Sequence, residues 1–229
     1  MSDISLFAFP GSGPLWLSVR LAAITTLLLI LFGTPLAWWL SRTSSRFKSA
    51  IEAIVALPIV LPPTVMGFYL LVVLGPYGSV GRWWVEMTGE TLTFSFTGLV
   101  LASCIYSLPF AIQPLQNAFE SLDKRDLEAA WTLGASRIDA FFSVAVPQSA
   151  RGFLNAVVLA FAHTLGEFGV VLMVGGNIPG ETRTISIAIY DQVESMNYGV
   201  AHQLSAILLV FAFAVLLLMF VINRRWQKQ

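Results

Sequence analysis

The chain has little charge, one cysteine and no excess of either sign. Charged residues make up 11% of its 229 residues, against about 25% in soluble domains. Thirteen basic residues balance thirteen acidic ones, which excludes a broadly basic nucleic-acid binder. Cys104 alone rules out an intrachain disulfide, and its apolar setting marks it as a small core residue. Two histidines and one distant cysteine offer no metal site. No Gly-x-x-x-x-Gly-Lys-Ser/Thr loop is present, so the chain does not read as an enzyme, and any nucleotide hydrolysis belongs to another subunit. There is no low-complexity segment and no internal repeat. No matched pair of interrupted helices of the kind found in inverted-repeat secondary transporters is apparent. The start of the chain contains Asp3 and no basic cluster, so a cleaved signal peptide is not expected.

What fills the chain instead is apolar surface. Hydrophobic residues reach 56% and mean hydropathy is +0.76, so the expected solvent is lipid. Five segments are long enough to cross about 30 Å of hydrocarbon: Leu15–Leu40, Ile51–Leu74, Gly98–Gln116, Ser149–Val174 and Val200–Asn223. Prolines 58, 62 and 63 interrupt the second and prolines 109 and 114 the third, as kinks that neighbouring helices can satisfy. The expected fold is an all-α transmembrane bundle, a single domain over residues 1–229.

Charge bias orients the bundle. Arg42, Arg46 and Lys48 follow the first span. Lys124, Arg125, Arg137 and Arg151 flank the segment between the third and fourth, and Arg224, Arg225 and Lys228 follow the fifth. Ten of the thirteen basic residues thus fall on one side. The positive-inside rule places the N-terminus outside and the C-terminus in the cytoplasm. Trp16, Trp38, Trp39, Trp83, Trp84 and Trp226 lie near span ends, as interfacial belts do.

The polar stretch between the third and fourth spans is then cytoplasmic. Asp123 can cap a helix running to Leu133, with Asp126 in its first turn. Gly134 suits the left-handed residue after that helix. Ser136 can cap a second short helix on which Ile138, Phe141 and Phe142 share a face, with Arg137 and Asp139 off it. An aromatic-ridged helix fits a groove on another protein. The alternative is an amphipathic helix lying on lipid, although such helices carry more Lys and Arg.

Glu128-Ala129-Ala130, three residues, Gly134, nine residues and Val144-Ala145-Val146-Pro147 resemble the EAA loop of ABC importer permeases. Val144 and Val146 stand where the usual pattern has Ile and Leu. The resemblance implies that a loop at about 118–148 docks on a separate ATPase through Glu128, Ala129, Ala130, Gly134, Ser136, Arg137, Ile138, Phe141, Phe142 and Pro147. Phe161 through Gly169, with Leu165-Gly166-Glu167-Phe168-Gly169, resembles a signature of permeases for molybdate, tungstate and sulfate. Asn177-Ile178-Pro179-Gly180-Glu181-Thr182-Arg183-Thr184-Ile185 resembles the corresponding loop of molybdate permeases. Leu57 through Gly67 is similar to their second span.

The resemblance implies an ABC type I importer permease. It would work as a homodimer in a bacterial or archaeal inner membrane, with two ATPase subunits and an external binding protein. ATP and Mg would bind the ATPase, and the permease itself would need no cofactor. Transport would follow alternating access, with molybdate (and tungstate) as substrate. Sulfate is the alternative within the class. An ion-coupled carrier using Glu167 and His163 as a proton relay is the alternative outside it.

Pathway and gate candidates are His163, Gly166, Glu167, Gly169 and Thr64, with Ser103, Ser107, Gln113 and Asn155 as further possible lining. A carboxylate repels an anion, so Glu167 is expected to be hydrogen-bonded and to shape a gate, with His163 at i, i+4 a possible partner. Gly166 and Gly169 would admit a close helix. The outer loop, Asn177, Pro179, Gly180, Glu181, Thr182 and Arg183, would meet a binding protein or line the mouth. Arg183 would serve there as a cation for an oxyanion, the alternative being an ordinary solvated turn.

Overall fold

A computed structural model describes residues 13–226; Asp3 and Lys228 lie outside the described residues, as do the side chains of Arg225 and Trp226. The described chain is helical. Helix α1 covers Pro14–Arg42, α2 Lys48–Val60, α3 Pro63–Leu74, α4 Ser79–Thr88 and α5 Phe96–Glu120. Then come α6 Lys124–Thr132, α7 Arg137–Ala140, a π-helical turn Phe141–Ala145 and α8 Val146–Gln148. Helices α9 Ala150–Gly166, α10 Gly169–Gly175, α11 Ile185–Glu194 and α12 Tyr198–Trp226 complete the chain.

Three helices, at Pro14–Arg42, Phe96–Glu120 and Tyr198–Arg224, are individually long and apolar enough to cross a membrane. Two bent pairs raise the number to five if each is one span. The first pair, α2 with α3, bends by 113°, because Pro62 and Pro63 supply no backbone N–H to carry a helix across. The second bends by 72° between Arg137–Gln148 and Ala150–Gly166. The fourth apolar run is therefore not one helix to Val174. It starts at a bend and breaks again at Glu167–Phe168, where Glu167 turns extended at ψ 134°.

Unbroken α1 and α5 pack along each other and α9 packs on both, while α3 pairs with α10. One buried cluster joins Leu40, Ile112, Leu115 and Phe119 to Leu127, Ala140 and Ala145, seating α6–α8 against the ends of α1 and α5. A second joins Leu70 and Leu74 to Leu92, Ala102, Val170 and Val174 at the opposite end. Between apolar helices in lipid this cohesion comes from packing contacts rather than from release of water. Leu209, Val210, Phe213, Leu217, Leu218 and Phe220 of α12 stay exposed, as a lipid-facing helix requires.

Candidate functional site

The segment between α5 and α9 folds as its local chemistry dictates. The Asp123 carboxylate accepts from the Arg125 N–H at 2.9 Å and starts α6. Gly134, at φ +91°, takes the left-handed position after α6 that a side chain would strain. The Ser136 hydroxyl accepts from the Asp139 N–H at 3.1 Å and starts α7. Trp131, Leu133, Ile138 and Phe142 stand exposed along this segment. Glu128, Ala129, Gly134, Ser136, Arg137 and Pro147 are also exposed, while Ala130 is half-buried.

Phe141 departs from the expected ridge. Its ring lies 5.0 Å from Trp38 and 6.0 Å from Phe119, centroid to centroid, so it anchors the segment to α1 and α5. Phe142, 66% exposed, keeps the outward position. The π-helical turn at this point shifts the angular spacing away from that of an α-helix, and the ridge reduces to Ile138 and Phe142.

The two helix breaks meet. A Cβ on Gly169 would come within 2.6 Å of the Pro63 Cβ, and one on Gly67 within 2.8 Å of the Met173 Cβ. Gly169 thus permits the close approach expected of it, whereas nothing lies within 4 Å of the corresponding point on Gly166. Thr64 sits exposed on the turn beside Pro63.

Glu167 is 5% exposed, and the polar group beside its carboxylate is the buried Ser103 hydroxyl. His163 is not its partner. The imidazole Nδ1 is 2.9 Å from Ser107 Oγ and the ring stacks on Phe110 at 3.9 Å. The expected i, i+4 pairing gives way to these contacts with α5. Ser107 also bonds Thr164 at 2.9 Å, so it cross-links α5 to α9 inside the bundle, and Ser103 is likewise buried there.

Below the breaks, α5 and α9, with Ile59 of α2, line an open cavity of about 950 Å³. Gln113 and Asn117, one turn apart on α5, and Arg151 and Asn155, one turn apart on α9, line it with Gln148 and Ser149. Of the residues named above, Gln113 and Asn155 were legible as lining; Asn117, Gln148, Ser149 and Arg151 were not singled out for it. The helices close together beside it because residue 152 is glycine, where a Cβ would collide with the Ala118 Cβ and lie 3.1 Å from the Pro114 carbonyl oxygen. Gln148 also donates to Asp126 on α6 at 2.9 Å, so the cavity wall is bonded to the exposed segment.

The outer loop is braced rather than open. Arg183 Nε donates to Asn177 Oδ1 at 2.5 Å, and Asn177 in turn donates to Asp191 at 3.3 Å. Thr182 is fully buried and accepts from the Ile178 N–H at 3.1 Å. Pro179, Gly180 and Glu181 form the exposed tip. The loop feeds α11, whose Ile185 N–H donates to Ser18 of α1 at 2.8 Å. On α11 the Glu194 carboxylate accepts from the Tyr190 hydroxyl at 2.6 Å and holds its pKa above the usual phenol value. Arg183 Nη1 also lies 3.9 Å from Asp191 Oδ2, so the guanidinium already has an anionic and an amide partner. Among the described residues there is no group of three or more His, Cys, Asp or Glu able to hold a metal.

Residues 17–228 match the family model described as "Binding-protein-dependent transport system inner membrane component". The molybdenum transport system permease protein ModB of Azotobacter vinelandii is 57% identical over 200 residues, 87% of this chain and 88% of that one. The Escherichia coli (strain K12) protein of the same name is 38% identical over 179 residues, 78% of each chain. Among solved structures, a bacterial alginate ABC transporter in complex with a periplasmic protein bound to an alginate pentasaccharide matches with a TM-score of 0.72 at 20% identity. That match covers 99% of this chain and 83% of the other.

Proposed function

The chain belongs to the family of binding-protein-dependent transport system inner membrane components, and from that premise we propose that it carries molybdate inward as the permease of an ATP-driven importer. It is a multi-pass inner-membrane subunit of an ABC transporter, and ATP hydrolysis belongs to a partner. The observation that carries the substrate reading is the 57% identity to a molybdenum permease along 87% of the chain.

The working unit is a two-fold homodimer with two ATPase subunits, its N-termini outside and C-termini in the cytoplasm. All 229 residues act as one domain. A single copy leaves its polar cavity walled by only two or three helices, and a second copy closes it on the axis. The segment at about 118–148 docks on the ATPase: Ile138 and Phe142 provide the apolar contact, and the exposed Glu128 and Arg137 lie beside it. Asp126 and Gln148 carry its displacement to the cavity. The meeting of the two breaks, at Pro63, Thr64, Glu167 and Gly169, lies above that cavity and forms the gate, with His163 stacked just below. The outer loop tip at Pro179–Glu181 receives the loaded binding protein, and Asn177, Thr182 and Arg183 hold the tip in shape.

The test is ATPase activity of the reconstituted complex with binding protein loaded with molybdate, tungstate or sulfate. Stimulation by molybdate is expected. Stimulation by sulfate alone would overturn the substrate, and transport by the lone subunit without any ATPase would overturn the class.

A further inference from the structure

A groove on the far side of α9 has the length and chemistry of one lipid leaflet. One wall is α1 from Ile30 to Trp38; the other is Phe141, Phe142 and Val146, with Phe153 of α9. Its volume is about 690 Å³, within the range of about 300–1,000 Å³ typical of ligand pockets. Among the described residues its one charged side chain is Arg137 and its one hydroxyl is Thr34, which already donates to the Ile30 carbonyl at 2.6 Å. From Ile30 to Trp38 the helix rises about 12 Å, close to the roughly 15 Å of half a hydrocarbon core. The charge gathers at one end. There Trp38 meets Phe141, one turn from Arg137, and Arg42, one turn past Trp38, holds its guanidinium 4.8 Å over the indole. No carboxylate pairs with Arg42 or Arg137 among the described residues.

The groove opens sideways. Leu31 lines it and is itself exposed, as is Leu27 one turn earlier on α1. Phe153 stands about 160° round α9 from both Arg151 and Asn155, so the groove faces away from the polar cavity. A soluble ATPase resting on Ile138 and Phe142 covers the lip but does not reach about 12 Å into hydrocarbon.

We propose that this groove seats one acyl chain of an anionic phospholipid from the cytoplasmic leaflet, with the headgroup phosphate on Arg137 and Arg42 beside it. The chain lies along α1 and the phenylalanine rings. Arginine suits the phosphate because its planar fork donates in pairs, and Trp38 stands at the headgroup level that such residues favour. The lipid sits between α1 and the ATPase-facing segment, so it extends the Phe141–Trp38 contact and helps to hold that segment. The proposal rests on the transport reading above for which leaflet this is.

The experiment is native mass spectrometry of the full complex, titrated with phosphatidylglycerol and phosphatidylcholine of identical chains. One basic residue at the membrane surface favours an anionic headgroup about fivefold. Each permease copy is therefore expected to retain one phosphatidylglycerol at least fivefold more tightly than phosphatidylcholine, and Arg137→Gln to cut that preference about fivefold. Thr34→Phe fills the groove at mid-depth and is expected to weaken both lipids tenfold or more with Arg137 still in place. Glycerol phosphate, which has the headgroup charge and no chain, is expected to displace neither lipid; this arm tests the need for the chain on the unmodified complex. Equal affinity for the two lipids overturns the site, as does a preference that survives Arg137→Gln. Displacement by glycerol phosphate overturns the lipid in favour of a free phosphate. Loss of the lipid whenever two permease copies associate overturns it in favour of a second copy as the cover. Retention of the ATPase on the same preparation tests the transport reading separately: lipid selectivity can stand without it, and the ATPase can be retained where no lipid binds.

Discussion

Phe141 and Phe142 are neighbours in sequence with opposite expected consequences when trimmed. Phe141 packs edge-on against Trp38, at 5.0 Å between centroids, and 6.0 Å from Phe119. Phe142 is 66% exposed. Truncating a fully buried Phe to Ala costs about 3–5 kcal/mol, and each aromatic pair contributes about 0.5–1.5 kcal/mol beyond its area. For the half-buried Phe141 the expected loss is about 2 kcal/mol, a fall of roughly 4–8 °C in the unfolding midpoint of a chain this long. Phe142→Ala should shift the midpoint by no more than about 0.5 kcal/mol equivalent, as exposed positions do. If Phe142 is a contact on the ATPase, its loss should instead weaken association tenfold or more, about 1.4 kcal/mol. Thermal unfolding of the purified permease and co-purification with its ATPase separate the two effects, and Phe141→Leu should recover most of the stability. Equal destabilisation by both alanine variants, or intact association of Phe142→Ala, would refute the assignment of one ring to the core and the other to the partner.

Three further substitutions probe the rest. Glu167→Gln should fold and retain uptake within a few-fold, because no cation pairs with the carboxylate among the described residues; uptake assays in proteoliposomes showing complete loss would make the charge essential. Gly152→Ala places a methyl against Ala118 and should cost about 1–3 kcal/mol by forcing α9 off α5; pairing it with Ala118→Gly should restore the unfolding midpoint. Ser136→Ala removes the cap on the Asp139 N–H, about 1 kcal/mol, and should reduce ATPase binding about fivefold by fraying α7, read by titration of the complex.

How far the sequence speaks depends on whether the deciding physics is local. Asp123, Gly134 and Ser136 are governed by the backbone within three residues of themselves, and each takes the role its neighbours predict. Helical composition and apolar spans are likewise local sums. Pro62 and Pro63 announced a disturbance in the second run, but a bend of 113° depends on where α2 and α3 find partners. At Glu167–Phe168 no proline marks the break, and the flanking Gly166 and Gly169 read equally well as close-packing positions within one span, so the run reads as a single helix, whereas His163 bonds Ser107 of α5. Spacing alone puts Phe141 on an outward face, because the period of one helix says nothing of Trp38, about a hundred positions earlier. The cavity residues Ser149, Arg151 and Asn117 escaped for the same reason, since only the crossing of α5 and α9 brings them together.

The level at which both bent helices lose their continuity has a mechanical consequence. Flexing an intact α-helix strains or breaks i to i−4 hydrogen bonds, yet at Leu61–Pro62 and at Glu167–Phe168 the ladder is already interrupted. Helices α1 and α5, of 29 and 25 residues, run past the same level as continuous helices, losing only the single bonds that Pro35, Pro109 and Pro114 cannot donate. The bundle thus has two stiff posts and two articulated limbs whose joints touch each other, at Pro63 and Gly169. Rotation about those joints leaves every turn of helix intact on both sides, so the halves can swing as solid pieces, and the effort of motion falls on side-chain contacts alone.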